Sequence, residues 1–531
     1  MELSNLKALT PEMVLVGTGA LALLVGLAKQ DRVRRLVQWI ALAGLLAGFI
    51  ITLFGGDAML AQDGKFILAP YANYITLLVC GIGFLSVLAA WDLPAKNDPT
   101  VCDSQYRGEF FSLLLFSLAG VSMVAKVNDL IWLFVVLELV SIPTYIMVAT
   151  SRSQPIAQEA GVKYFFLGAL AAAVYLFGFS YLYGYAGSTR FVDIAAKFAV
   201  DMGPTGTLPM LGLIGLLMVI VGVAYKIAAV PLHFYTPDVY QGAATPVTAF
   251  LAFAPKAAGM VAIIAVVGLT GFHWNALPLG GVHNGHLSSA QTLQILLTVM
   301  SVLTMTVGNV LALLQRNVKR MLAYSSIAHS GYMLVGLVAG PGTGAGDGIH
   351  ATLFYLGAYA IMNLGAFAVL VYFQGKSDTG EELDDLAGIA KEHPAAAFAL
   401  AICFLSLIGM PLTIGFWGKF YLIQAALMNG HSILAVIMVL NAAVAAAYYL
   451  RVIAALYLRD PWSPFTVRTT LAPRLAATVC TVGVIFFGVM PTPLLVSSMT
   501  STAARMTTVA PPLTTPPVVA TNVTGGLAQA K

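Results

Sequence analysis

Runs of 18 or more apolar residues recur along nearly the whole chain, and this constrains its fold more than any other feature. Such runs are the signature of bilayer-spanning helices. Within hydrocarbon each backbone N–H and C=O must find its partner inside the protein, which a helix achieves along its own length. The expected fold class is therefore an all-α, polytopic membrane protein. Composition agrees: 59% of residues are hydrophobic and 9% charged, against about 25% charged in soluble domains. The formal charge of +4 is spread between loops, with no basic patch of the kind that binds nucleic acid.

Windows of apolar residues place about fourteen spans, near 11–29, 36–54, 71–91, 109–126, 130–150, 162–185, 210–232, 246–270, 290–314, 321–340, 350–373, 395–428, 433–457 and 473–495. The first is followed by a basic run from Lys29 to Arg35, which reads as a retained helix with a cytoplasmic anchor and not a cleaved signal peptide. Loops after odd-numbered spans hold fifteen lysines and arginines, among them Arg152, Lys319 and Arg320, while the other face holds seven, among them Lys65 and Lys126. By the positive-inside rule both termini lie on the outer side. Residues 496–531, rich in Thr, Pro, Val and Ala, read as a flexible tail.

A weak repeat runs through the middle of the chain. Phe165-Phe-Leu-Gly-Ala169 in span six resembles Phe354-Tyr-Leu-Gly-Ala358 in span eleven, and Ser141-Ile142 in span five matches Ser326-Ile327 in span ten. Proline interrupts span seven at Val230-Pro231 and span twelve at Gly409-Met410-Pro411. Each feature lies five spans from its counterpart, and an odd offset makes such repeats inverted in the membrane. Broken helices at corresponding positions of two halves are the best sequence pointer to an ion pathway. The expected organisation is an N-terminal three-helix segment (1–108), a first repeat of spans four to eight (109–270), a second of spans nine to thirteen (290–457), a last span (473–495) and the tail.

Against this apolar background a few ionisable residues stand out. Glu138 sits near the middle of span five, where a charge costs about 2.5–3.5 kcal/mol on insertion scales. A carboxyl kept neutral by burial is the bland alternative, and it too is a protonatable site. Lys226 lies about a turn before the break in span seven, Lys256 inside span eight, and Lys419 in the second half of span twelve. Burial favours the neutral amine and a nearby carboxylate the ammonium, so a buried lysine is a switchable proton carrier. Snorkelling to the interface is the competing reading. Lys163 begins span six as a supporting relay member or an interfacial anchor. His329 in span ten, with hydroxyls around it, suits proton relay or a hydrogen-bonded core. Arg451 in span thirteen could pair with a carboxylate or a phosphate.

The chain shows no Walker-type loop and no convincing dinucleotide fingerprint. Cys80, Cys102, Cys403 and Cys480 are scattered, whereas zinc and iron–sulfur sites need clustered ligands. The expectation is that no cofactor or metal is bound by this chain.

The stretch from Lys226 to Lys256, with Pro237-Asp-Val-Tyr240, Thr245-Pro-Val-Thr-Ala-Phe250 and Pro255-Lys-Ala-Ala-Gly259, resembles the antiporter-like subunits of bacterial NADH–quinone oxidoreductase (respiratory complex I), and among them the subunit N family. Leu137-Glu-Leu139, Arg320-Met-Leu-Ala-Tyr-Ser-Ser-Ile-Ala-His329 and Gly415-Phe-Trp-Gly-Lys419 fit the same family, and the resemblance covers nearly all the spans. It implies a proton-translocating subunit in which Glu138 and Lys226 form the coupled pair of a half-channel. Lys256 is then the central relay and Lys419 gates the exit half-channel, with Lys163 and His329 supporting. Sister subunits more often carry histidine where Lys256 stands, and no long lateral helix follows the last span; both point to subunit N. The resemblance further implies a place in a bacterial inner membrane beside a neighbouring antiporter-like subunit and small membrane subunits. NADH, FMN, iron–sulfur clusters and quinone are then handled by other chains. Tyr235, where the family more often has Trp, and Gln241, where it has Glu, are departures. A subunit of a multi-subunit Na⁺/H⁺ antiporter or membrane-bound hydrogenase is the alternative, sharing fold and Glu–Lys pair.

Overall fold

The computed structural model describes residues 9–54, 71–93, 106–202, 207–272, 288–342, 344–373, 381–461 and 471–499. The tail from 500 onward, Cys102 and loop cations such as Lys7, Lys65, Lys96 and Lys376 lie outside them. Among the described residues eleven helices are long and apolar enough to cross a membrane, and the shorter apolar helices are Thr10–Gly26, Met210–Ala224 and Pro394–Ile408. These match the expected spans in order. Two of the short ones are the first halves of spans seven and twelve, cut where the prolines predict.

Span seven runs as Met210–Ala224, then irregular backbone, then Tyr235–Gly242. Pro231 has no N–H to give, and Ala228 takes a left-handed φ of 56°. The loosened groups are met from outside the helix: Val230 N–H donates to Thr304 Oγ1 of span nine at 3.0 Å. Tyr235 Oη donates to the Tyr225 carbonyl at 2.9 Å. Span twelve ends its first half at Ile408 and restarts as Ile414–Met428, with Gly409 at φ 96°.

Two differences from the expectation have physical causes. Span eight is not continuous but splits into Thr245–Leu251 and Ala254–Gly268, because Pro255 stands in the first turn of the second piece and supplies no helical N–H. A further helix, Phe191–Met202, follows span six; it buries Phe191, Ile194, Phe198 and Met202 while Asp193, Lys197 and Asp201 make it too polar to read as a span.

The described residues hold no β-strand, but two isolated antiparallel bridges pair Asp129 with Arg190 and Asn317 with Glu382. Asp129 caps span five (Leu130–Thr150) and Asn317 caps span ten (Val318–Ala339), each by accepting from backbone N–H groups of the first turn. Leu130 N–H reaches Thr189 O and Phe191 N–H reaches Asn128 O; likewise Val318 N–H reaches Glu381 O and Leu383 N–H reaches Arg316 O. The same cap and the same bridge thus recur five spans apart.

Helices approach closely where small residues permit. A Cβ at Gly178 of span six (Pro155–Ala186) would lie 2.8 Å from the Gly215 carbonyl of span seven, so backbone contact there depends on glycine. Spans ten and eleven (Gly348–Phe373) are buried nearly throughout, whereas spans six and thirteen (Ser432–Leu458) present much of their surface outward.

Candidate proton-relay site

Glu138 and Lys226 meet. Lys226 stands just past the end of Met210–Ala224, donates its N–H to the Val223 carbonyl at 2.9 Å and reaches toward span five, where its Nζ lies 3.3 Å from Glu138 Oε1. Lys226 is 3% exposed and Glu138 19%, so the pair sits at the edge of a low-dielectric interior. Tyr175 Oη donates to the same Glu138 oxygen at 2.7 Å. Lys226 Nζ also donates to Ser141 Oγ, one turn along from Glu138.

Lys256 and Lys419 are buried as well, at 2% and 5% exposure, but their partners are neutral. Lys256 Nζ donates to the carbonyl and hydroxyl oxygens of Ser326 in span ten. That hydroxyl is a hub, accepting from Tyr359 Oη at 2.9 Å and lying 3.1 Å from Tyr240 Oη. Lys419 folds back across its own break: Nζ donates to Leu407 O at 2.9 Å and Ile408 O at 2.7 Å. Those are unsatisfied carbonyls at a helix C-terminus, the negative end of its dipole. Each lysine also stands over a tyrosine face, Lys226 over Tyr175 at 5.9 Å, Lys256 over Tyr359 at 5.6 Å and Lys419 over Tyr332 at 5.0 Å.

His329 stands among the tyrosines that face the last two: its ring centroid is 5.0 Å from that of Tyr359 and 5.5 Å from that of Tyr332. Nδ1 is 2.5 Å from Tyr355 Oη and Nε2 is 3.3 Å from Tyr449 Oη. Lys256 and Lys419 are both close enough to act on it electrostatically. Between Lys226 and Lys256 lies a small cavity of about 10 Å³, walled in part by Tyr164, Tyr235, Thr236 and Tyr240. That is room for about one water, and a water bridges groups that do not touch. Ammonium, carboxyl and imidazole groups of this kind can each take up and release a proton.

Lys163 stands apart. Its side chain is 43% exposed and pairs with Glu159 at 2.8 Å and Asp238 at 2.9 Å. Arg320 donates to Asp238 Oδ1 at 2.8 Å and to Gln241 Oε1 at 2.9 Å. The adjacent Lys319, only 1% exposed, donates to the Gln241 and Ala243 carbonyls and to Glu381 Oε1, the last at 3.0 Å. Arg152 reaches the same Glu381 oxygen at 2.5 Å. Burial opposes ionisation of Glu381, but Lys319 and Arg152 outweigh it and hold its carboxyl below the ordinary value. This network clamps the second half of span seven onto span ten. The charge counts treated its members as loop cations, and only the tertiary fold shows them as partners. Arg451 donates to the Leu313 and Gln315 carbonyls at the end of span nine (Ser289–Leu313), and among the described residues no carboxylate forms a salt bridge with it.

Among the described residues no group of three or more His, Cys, Asp or Glu could hold a metal ion.

The family model described as "NADH:quinone oxidoreductase/Mrp antiporter, TM" matches residues 127–445. NADH-quinone oxidoreductase subunit N of Trichlorobacter lovleyi is 37% identical over 498 residues, covering 92% of this chain and 96% of that protein. A chain of respiratory complex I from Thermus thermophilus superposes with a TM-score of 0.73 at 29% identity, covering 91% of this chain and 98% of that one. A chain of the Mrp complex from Dietzia sp. reaches 0.78 at 20% identity, covering 96% and 100%, a likeness of fold. This chain is thus a multi-pass membrane protein that belongs to the NADH:quinone oxidoreductase/Mrp antiporter family, within its NADH-quinone oxidoreductase subunit N branch.

Proposed function

We propose that this chain is the proton-translocating subunit N of an NADH–quinone oxidoreductase, working beside other membrane subunits of that complex while redox chemistry proceeds in other chains. The observation that carries this reading is the Glu138–Lys226 pair at 3.3 Å, placed at a helix break and opening on a cavity that leads to Lys256. Glu138 and Lys226 load the proton, Lys256 relays it, and Lys419 gates its release, with His329 joining the last two. Lys163 supports from outside this line, holding Asp238 beside the broken half of span seven.

The division into two inverted repeats, 109–270 and 290–457, is supported by the matched breaks and by the matched bridges at Asp129 and Asn317. The excess of cations after odd-numbered spans supports termini on the outer side. The alternative as an Na⁺/H⁺ antiporter or hydrogenase subunit shares the fold, but the close relative in sequence carries the subunit N name.

Replacing Lys226 or Glu138 by alanine in the assembled complex is expected to lower both proton pumping and coupled quinone reduction. Unchanged pumping at normal assembly contradicts the assignment.

A further inference from the structure

Where span one meets the first span of the first repeat, another carboxylate–lysine pair is buried more deeply than Glu138–Lys226. Glu12 stands in the first turn of span one and Lys126 just past the end of span four (Arg107–Val124). Lys126 Nζ is 2.6 Å from Glu12 Oε1, and the side chains are 1% and 2% exposed. Ser122 Oγ donates to the same oxygen, and Thr76 Oγ1, near the start of span three (Ala72–Ala89), lies 3.5 Å from it. The two hydroxyls are 2.7 Å apart. Among the described residues Glu12 Oε2 is buried with no hydrogen-bond partner. The Cys80 thiol, one turn along span three, feels the charge of both members.

Stability alone gives little reason for such a pair. Two charges withdrawn from water gain little over well-packed apolar residues, and in a bilayer the penalty is steeper. The geometry is also lopsided: the donors gather on Oε1, while the bare Oε2 costs about 1–3 kcal/mol as an unsatisfied acceptor. A carboxylate that binds a proton sheds that penalty.

We propose that Glu12 and Lys126 form a further proton-transfer site of this chain, at the membrane face where spans one and three begin and span four ends. In the step, an N–H bond of the Lys126 ammonium breaks and its electron pair stays on nitrogen as the amine lone pair. The proton bonds to the Glu12 carboxylate. Both groups end neutral, and the pair carries zero net charge before and after, so no net charge is created at low dielectric. The carboxyl proton then passes by way of the Ser122 and Thr76 hydroxyls to water at that face, and the amine takes up the next proton delivered by the relay. The inference rests on the reading of the chain as a proton translocator.

Arginine separates this role from a structural one, because a guanidinium keeps the ion pair but does not give up its proton. Protons translocated per quinone reduced are measured on the whole purified complex in liposomes for Lys126→Arg, for Glu12→Gln with Lys126→Met, and for Lys226→Ala as a control. All three are expected to assemble, and both Lys126 variants to lose at least about two-fold in proton yield. A wild-type yield in Lys126→Arg or in the double variant overturns the proposal. So does failure of the double variant to assemble, which marks the pair as a structural staple. A loss confined to Lys226→Ala overturns this inference alone; no loss in any variant overturns the proposed function with it.

Discussion

Lys419 donates to the carbonyl of Ile408 at 2.7 Å, so the side chain that follows the break in span twelve closes the helix end that precedes it. Charge and capping are combined in one group. Lys226, at the matching break, leaves the helix end to Tyr235 and binds a carboxylate instead. The two helix breaks are therefore built differently, one around an ion pair and one around a helix terminus.

Lys419→Met leaves the Leu407 and Ile408 carbonyls without this donor and is expected to lower stability by about 1–3 kcal/mol while abolishing relay. Lys419→Arg keeps a capping cation that does not deprotonate, so thermal stability of the complex should hold while pumping falls roughly ten-fold or more. Parallel thermal unfolding and proton-uptake assays separate the two effects.

Tyr235 differs from the tryptophan more usual in the family, yet its hydroxyl performs a definable task in donating to the Tyr225 carbonyl. Tyr235→Phe removes that donor and is expected to cost about 1 kcal/mol and to slow pumping. Tyr235→Trp restores an N–H donor and should stay near wild type. Equal behaviour of the two variants in the same assays contradicts the assignment.

Gln241, where the resemblance to the family more often implies Glu, accepts from Arg320 as an amide. Gln241→Glu turns this into a charge-assisted contact. Its partly exposed setting limits the gain to about 0–1 kcal/mol, shrinking with salt. Melting temperatures at low and high ionic strength check both the sign and the screening.

Glu381 ties Lys319 to Arg152, and its carboxyl lies below the ordinary 4.5. Because the folded value is depressed, the stabilisation is complete above pH 4.5 and is lost as pH falls through the lowered value. Glu381→Gln should therefore destabilise at neutral pH by about 3 kcal/mol, because two buried cations lose the carboxylate they share. The gap between variant and wild type should close only in strong acid.

The spans were legible because burial in lipid demands long apolar runs, and the breaks because Pro231 and Pro411 each withhold an N–H. The residue types of the relay were legible too: Glu138, Lys226, Lys256 and Lys419 are costly where they stand. Their partners were not. Lys256 takes Ser326 and Lys419 takes a helix end, contacts that depend on how distant spans pack. Lys126 reads as a loop cation and Glu12 does not stand out, because each sits at the end of an apolar run, where a charge resembles an interfacial anchor. Lys163 and Lys319 show the same ambiguity resolved in opposite ways, one exposed and one buried in a clamp. Span eight was read as continuous because Pro255 lies within an unbroken apolar stretch.

Glu138 and Lys226 are proposed to act as one proton-loading unit. The most direct test is the proton yield per quinone reduced for Glu138→Gln, Lys226→Ala and the double variant, each in fully assembled complex. Residues that work as a unit lose no more together than either loses alone. The account predicts a large loss in each single variant and no further loss in the double. Wild-type yield in either single variant, or losses that multiply in the double, would contradict it.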